Sequence, residues 1–130
     1  MKDERRPVRD LRTRTRQFAL RILHLSEALP RSMAGRVMAG QVFRAGSSVG
    51  AHYREACRSR SDAELISKLE VGLQELDETA YWLELIAESG MISTSRIEPL
   101  MRETNELTAI FVTCVRRVKQ RRGRRMKSEG

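Results

Sequence analysis

Two histidines, each followed three residues later by a carboxylate, have the residue types that could bind a metal ion. His24 precedes Glu27 and His52 precedes Glu55, so each pair would share one face of a helix. A di-iron bundle needs the reverse order, Glu-x-x-His, on two helices and a further glutamate from each of the other two. His52 also follows the apolar repeat of its segment, which predicts a buried imidazole. We therefore expect no metal site and no cofactor.

The other residues capable of covalent or acid–base chemistry form no catalytic pattern. Cys57 and Cys114 both fall within helical repeats, and Cys114 is expected to fill the core. The sequence contains no glycine-rich phosphate loop, Walker-type lysine or GxSxG motif. Its carboxylates between residues 70 and 88 are spread along one segment, which favours a solvated or partner-facing surface. The sequence predicts a protein that is not an enzyme.

The basic residues form the pattern that points to function. Fourteen of them crowd the two ends of the chain and are the candidate nucleic-acid-binding residues: Arg5, Arg6, Arg9, Arg12, Arg14, Arg16, Arg116, Arg117, Lys119, Arg121, Arg122, Arg124, Arg125 and Lys127. Solubility and the helix dipole would account for only a few of them. Because the chain has few aromatic residues for base stacking, we expect contact with phosphates of RNA, DNA or both, with little sequence preference. An anionic membrane is a weaker alternative, since no Trp, Phe or Leu is interleaved with the last basic residues.

Four segments with apolar or small residues spaced three and four apart must position these side chains. Their repeats run from Leu11 to Leu29, from Met38 to Ala56, from Leu65 to Ile86 and from Ile97 to Val118. Pro30, Ser32, a capping box of Ser61 and Glu64, and Gly90 are the expected helix ends. The connections are short, so neighbouring helices should be antiparallel. We expect an all-α, antiparallel up-down-up-down four-helix bundle.

This bundle would place the two groups of basic residues together. We expect a basic N-terminal arm over residues 1–9, the bundle over residues 10–122 and a flexible basic tail over residues 123–130. In an antiparallel bundle of four helices, the start of the first helix and the end of the last helix lie at the same pole. The two groups of basic residues should therefore merge into one basic surface.

Two features predict close packing and self-association. The second helix carries Gly46, Ser47 and Gly50, whose small side chains would let another helix approach closely. The third helix carries more apolar residues than one core seam needs. Its candidate oligomer-interface residues are Tyr81, Trp82 and Leu85. We expect a homo-oligomer.

Charge is distributed unevenly along the chain. Residues 1–60 carry 14 Lys/Arg and 5 Asp/Glu, residues 61–115 carry 3 and 11, and residues 116–130 carry 8 and 1, which sum to the net charge of +8. Such polarity suits anionic partners or association between unlike surfaces. No apolar run is long enough to cross a bilayer, and the N-terminus has no apolar signal segment. We expect a cytoplasmic protein with no membrane partner and with reduced thiols.

Three segments resemble a known bacterial family. RAGSSVGAHYREA, from Arg44 to Ala56, resembles the second helix of the four-helix bundle proteins encoded within intervening sequences of large-subunit ribosomal RNA genes. AELISKL from Ala63 and DETAYWLEL from Asp77 resemble the third helix of that family. The family is similar to the accessory variability proteins of diversity-generating retroelements. His52 stands where the family usually has Asn.

This resemblance implies a non-enzymatic bundle that assembles as a ring, typically a homopentamer, with a basic surface. In the retroelement branch it also implies nucleic acid and a reverse transcriptase as partners. Two hypotheses follow. The first is a homo-oligomeric nucleic-acid-binding accessory protein, with a reverse transcriptase as a candidate partner. The second is a protein–protein interaction scaffold with no nucleic-acid role. They differ in whether the basic pole stays exposed in the assembly.

Overall fold

The computed structural model describes the backbone of residues 6–129 and the side chains of residues 11–128. Across this described backbone the chain forms four α-helices and no β-strand: α1 Arg6–Ala28, α2 Met33–Cys57, α3 Asp62–Ser89 and α4 Thr94–Glu129. Each helix packs closely against the next one in the chain, whereas α1 and α4 approach each other less closely. The all-helical architecture expected from the sequence is confirmed, and it is that of a four-helix bundle.

The helices begin and end where the capping residues predict. Ser32 precedes α2 and its hydroxyl accepts a hydrogen bond from the backbone N–H of Gly35 at 3.1 Å. Ser61 does the same for the N–H of Glu64 at the start of α3, also at 3.1 Å. Gly90 ends α3 in the left-handed conformation, with φ of 77°, which glycine adopts without a Cβ clash. These contacts satisfy backbone groups that have no partner within the helix.

Leu65 of α3 and Cys114 of α4 are half-buried beside the buried Ile66 and Val115. Otherwise the core follows the predicted stripes except near the end of α2. Tyr53 is only 5% exposed there, and its ring lies 5.9 Å from that of Phe111. His52 is half-buried, and its Nδ1 lies 3.2 Å from a carboxylate oxygen of Glu55. The prediction that His52 enters the core is therefore wrong. Steps of three and four residues both fit a helix of about 3.6 residues per turn. A step of three from Val49 leads to His52 and a step of four leads to Tyr53, and the structure buries Tyr53.

Gly46 and Gly50 of α2 lie at a close contact with another helix, as predicted, and that helix is α1. A Cβ on Gly46 would lie 2.8 Å from the side chain of Ile22, and one on Gly50 would lie 3.0 Å from the hydroxyl of Thr15. Both distances are shorter than normal packing contacts, so α1 and α2 can approach this closely only because these positions carry no side chain. Gly40, in the same helix, has open space around it.

We expect Gly46→Leu to destabilise the bundle by about 1–3 kcal/mol, because the new side chain overpacks against Ile22. The matched control is Gly40→Leu, which meets no neighbour. It should stabilise the chain by up to about 1 kcal/mol through the higher helix propensity of leucine. Urea denaturation of both variants measures the difference. Equal stability of the two variants would show that Gly46 is not a close contact.

The last helix is longer than the sequence analysis anticipated. We placed the end of the bundle at residue 122 and a flexible tail after it, yet α4 continues through Gly123 to Glu129. Val118 is the last buried residue of α4. About three further turns therefore extend beyond the core as an exposed helix. The flexibility of this segment remains a prediction.

Candidate nucleic-acid interface

The antiparallel order of the helices brings basic residues from several elements to one pole. The start of α1, the end of α2, the α2–α3 connection and the end of α4 all lie there. We define the basic pole by its exposed basic side chains: Arg12, Arg54, Arg58, Arg60, Arg116, Arg117, Lys119, Arg121, Arg122, Arg124, Arg125 and Lys127. At the other pole, the α1–α2 and α3–α4 connections carry far fewer basic residues.

Most of the predicted basic residues are exposed at or near this pole. Arg16 is also exposed and lies one turn after Arg12 along α1. Arg5 lies outside the described residues. Arg6 and Arg9 belong to the described backbone of α1, but their side chains are outside the described range.

Three arginines of the basic pole were missed by the sequence analysis. Arg54 lies in the last turn of α2, and Arg58 and Arg60 lie in the connection that follows. The chain order was enough to find them. In an up-down-up-down bundle the second helix ends at the pole where the first begins, so these residues had to join the same surface.

Asp62 holds the exposed end of α4 against the start of α3. Its two carboxylate oxygens contact Arg121 Nη2 at 2.8 Å and Arg125 Nη1 at 3.2 Å. The hydrogen bond from Arg121, together with the charges of Arg121, Arg125 and Arg122, holds the pKa of Asp62 below its usual value. Lys119 lies 3.9 Å from Glu70 of α3. These pairs fix the direction of the helix that carries most of the basic pole.

The other basic residues of the pole lack such partners. Among the side chains of residues 11–128, no carboxylate oxygen lies within 4 Å of the side-chain nitrogens of Arg12, Arg54, Arg58, Arg60, Arg116, Arg117, Arg122, Arg124 or Lys127. Glu64 accepts a hydrogen bond from the backbone N–H of Arg60. The charges of these side chains are therefore available to an anion. A surface of this kind attracts nucleic-acid phosphates, and binding to them releases the counterions that the phosphates hold.

Arg14 is placed differently from its neighbours. Its Nε and Nη2 donate two hydrogen bonds of 2.7 Å to the carboxylate of Glu103, and Nη2 also contacts Glu106. The pKa of Arg14 is raised by these bonds, chiefly the one to Glu103, and that of Glu103 is lowered by the bond from Arg14. The pairing joins α1 to α4, which approach each other less closely than helices adjacent in the chain do. Arg14 therefore already has carboxylate partners, and we expect it to contribute less to phosphate binding than the arginines of the basic pole that have none among the described side chains.

We expect Glu103→Gln to cost about 1–2 kcal/mol at pH 7, because the Glu103 side chain is only 14% exposed and its bond to Arg14 is charge-assisted. Glu106, the second partner of Arg14, has a side chain that is 65% exposed. Glu106→Gln should therefore lower the free energy of unfolding by less than about 1 kcal/mol.

The pH dependence of this effect has a definite sign. Because folding lowers the pKa of Glu103, the stabilisation is present above the usual glutamate pKa and is lost as the pH falls through the lowered one. The stability difference between wild type and Glu103→Gln should therefore shrink below about pH 4. Denaturant titrations at several pH values measure it. A difference that does not change with pH would contradict the pairing.

The remaining candidates for chemistry do not converge on a site. Among the described residues, no three side chains of His, Cys, Asp or Glu are grouped so that they could hold a metal ion. Cys57 and Cys114 are both free thiols, and burial raises the pKa of Cys114. They lie on α2 and α4, whose backbones do not come within 8 Å, which is too far for a disulfide. Cys114 is half-buried and packs against the core, while Val115 beside it is buried.

The predicted oligomer-interface residues lie close together on α3 but differ in exposure. Tyr81 is 57% exposed, whereas Trp82 and Leu85 are half-buried and pack against the core. The rings of Tyr81 and Trp82 meet edge to face, with centroids 5.2 Å apart. A shallow groove of about 380 Å³ beside them is also lined by Asp77, Glu78, Gln41 and Arg44. The outer face of α3 is thus an aromatic surface bordered by carboxylates.

None of the described helices is long and apolar enough to span a membrane.

The fold and the polar chemistry of the surface define a helical bundle with a basic pole and no assembled catalytic centre among the described residues. Residues 10–113 match the model of the 23S rRNA-intervening sequence protein family, and the chain belongs to that family. It is also similar to a crystal structure, described as a protein of unknown function from the S23 ribosomal protein family of Bacteroides thetaiotaomicron VPI-5482. That likeness has 32% sequence identity and a TM-score of 0.76, and it covers 81% of this chain and 97% of the other. No curated protein matches this chain. The resemblance to the retroelement accessory proteins has no counterpart in these two matches.

Proposed function

We propose that this chain is a non-enzymatic, homo-oligomeric nucleic-acid-binding protein that contacts phosphates through its basic pole. The observation that carries the proposal is a set of exposed arginines with no carboxylate partner among the described side chains, gathered from α2, α4 and the α2–α3 connection. Family membership supports it in a general way, because the family is named for ribosomal RNA intervening sequences. Arginine suits this role because its planar fork can donate two hydrogen bonds to one phosphate.

Self-association is part of the proposal and would strengthen binding. The acidic and aromatic outer face of α3 complements the basic faces formed by other helices, so unlike surfaces of two copies could meet. A ring, such as the homopentamer implied by the resemblance, would present one basic pole from each copy. Several weak contacts then act together and raise the overall affinity. A reverse transcriptase is not included, because no described surface is specific to such a partner.

Titration of fluorescently labelled RNA and duplex DNA of unrelated sequences with the full chain tests the proposal. At low salt we expect binding of both, with affinities that depend little on sequence, because phosphates carry no sequence information. Absence of binding would leave the scaffold hypothesis, in which charged faces join only proteins. Strong preference for one sequence would overturn the phosphate-contact mode.

A further inference from the structure

A groove on the side of the bundle adjoins the basic pole, shares Arg12 and Arg54 with it and adds Arg16. It runs between α1 and α2 and has a volume of about 360 Å³. Arg12 and Arg16 line it from α1, and Arg54 lines it from α2. We propose that this groove binds phosphate groups of a nucleic-acid strand whose path continues onto the basic pole. The inference rests on the proposed function and assigns it a specific site.

The charges of the groove are all of one sign. Among the described side chains, no carboxylate lines the groove and none lies within 4 Å of Arg12, Arg16 or Arg54. Three guanidinium groups around one groove repel each other, and a bound anion relieves that repulsion. A phosphate oxygen pair matches the donor geometry of arginine better than a single-atom anion does.

The floor of the groove consists of small residues and leaves room for a phosphate group. These residues are Ala19, Ser47, Gly50 and Ala51, with Thr15 beside them. Gly50 packs directly against Thr15, and because it has no side chain, it does not fill the groove. The Thr15 hydroxyl donates its proton to the carbonyl of Leu11 at 2.6 Å, so that proton is not available to a phosphate oxygen. The phosphate contacts must therefore come from the arginines on the rim.

The spacing of the rim residues suits a strand rather than an isolated ion. Arg12 and Arg16 are one turn apart on α1, which separates their Cα atoms by a rise of about 6 Å. Arg58 and Arg60 follow Arg54 in the chain and lie at the pole itself. A strand leaving the groove would meet these residues next. This continuity is the reason for choosing a nucleic-acid strand over free phosphate.

The main competing occupant is a second copy of the chain, because the outer face of α3 presents Asp77 and Glu78. In that case the groove would be an oligomer contact, and changing its arginines would alter the mass of the assembly. The two occupants therefore predict different results in light scattering.

Two kinds of variant test the groove, with the full chain and a labelled single-stranded RNA as the probe. The triple variant Arg12→Gln, Arg16→Gln, Arg54→Gln removes the charges, and we expect a loss of affinity of roughly tenfold or more. Ala51→Leu fills the groove and changes no charge, so it should also weaken binding by several-fold. Its matched control is Ala34→Leu, the same change at an exposed position near the other end of α2. The control should bind as wild type does.

The outcomes separate this inference from the proposed function. Weaker RNA binding by the triple variant and by Ala51→Leu, with helicity and assembly mass unchanged, supports the groove. Wild-type affinity in both variants, while wild type itself binds RNA, overturns the groove and leaves the proposed function standing. A lower assembly mass in the triple variant assigns the groove to a second copy and overturns the inference. If wild type binds no RNA at low salt, both proposals fail.

Discussion

Replacing Arg116, Arg117, Arg122 and Arg124 by glutamine is expected to reduce the affinity for duplex DNA and RNA by at least roughly tenfold at low salt. All four are exposed and have no carboxylate within 4 Å among the described side chains. Each phosphate contact on duplex DNA contributes about −0.9 to the slope of log K against log salt concentration. Raising the salt concentration from 50 to 200 mM should lower the affinity of wild type more than that of the variant. If all four side chains contact phosphates, the two losses should differ by a factor on the order of 100.

The matched control for this prediction removes the same charge from elsewhere. Arg31, Arg36, Arg96 and Arg102 are exposed and lie toward the opposite pole. Their replacement by glutamine changes the net charge equally, and glutamine has nearly the helix propensity of arginine. This control should keep most of the affinity and most of the salt slope. Equal losses in the two variants would mean that net charge, and not the basic pole, governs binding.

Tyr81→Glu is expected to split the proposed homo-oligomer into smaller species while leaving helicity intact. Tyr81 is the most exposed of the three candidate interface residues, so a charge there meets water in the monomer and an apolar partner in the assembly. Asp77 and Glu78 beside it add like-charge repulsion. Trp82 is a poorer choice for this test, because it packs partly against the core and its replacement would also weaken the fold.

Light scattering at micromolar concentration measures this effect against Met126→Glu. Met126 is 62% exposed near the end of α4, so its replacement also removes exposed apolar surface and adds one negative charge. It should leave the mass unchanged. A wild-type chain that is monomeric under these conditions would contradict the assembly part of the proposal. RNA affinity should fall with the mass in Tyr81→Glu, because the poles of separate copies no longer act together.

The sequence predicted the helices well because apolar spacing and capping chemistry act locally. The stripes of α1 and the caps at Ser32, Ser61 and Gly90 depend on neighbours within one or two turns, and all of them are present. The prediction that His52, and not Tyr53, faces the core was wrong. A helical period allows either residue to face inward, and in the structure Tyr53 is the one that packs against the ring of Phe111.

The site was harder to predict because its charges act between helices. Arg14 belongs to a run of arginines that looks uniform in the sequence, and its partners Glu103 and Glu106 lie on another helix. Which arginine pairs with them depends on the relative rotation of α1 and α4, which no local pattern reveals. The end of α4 raised a similar difficulty. Gly123 favours a break by its helix propensity, yet the helix continues through it, and Arg121 before it and Arg125 after it both pair with Asp62.

Modification of arginine side chains with and without bound RNA tests the central claim most directly, because it requires no variant. Phenylglyoxal labels accessible guanidinium groups, and mass spectrometry reports the extent at each arginine of the full chain. Bound RNA should protect Arg54, Arg58, Arg116, Arg122 and Arg124 and leave Arg31, Arg36 and Arg96 as reactive as before. Protection that is equal at both poles, or absent from the basic pole while RNA is bound, would contradict the account.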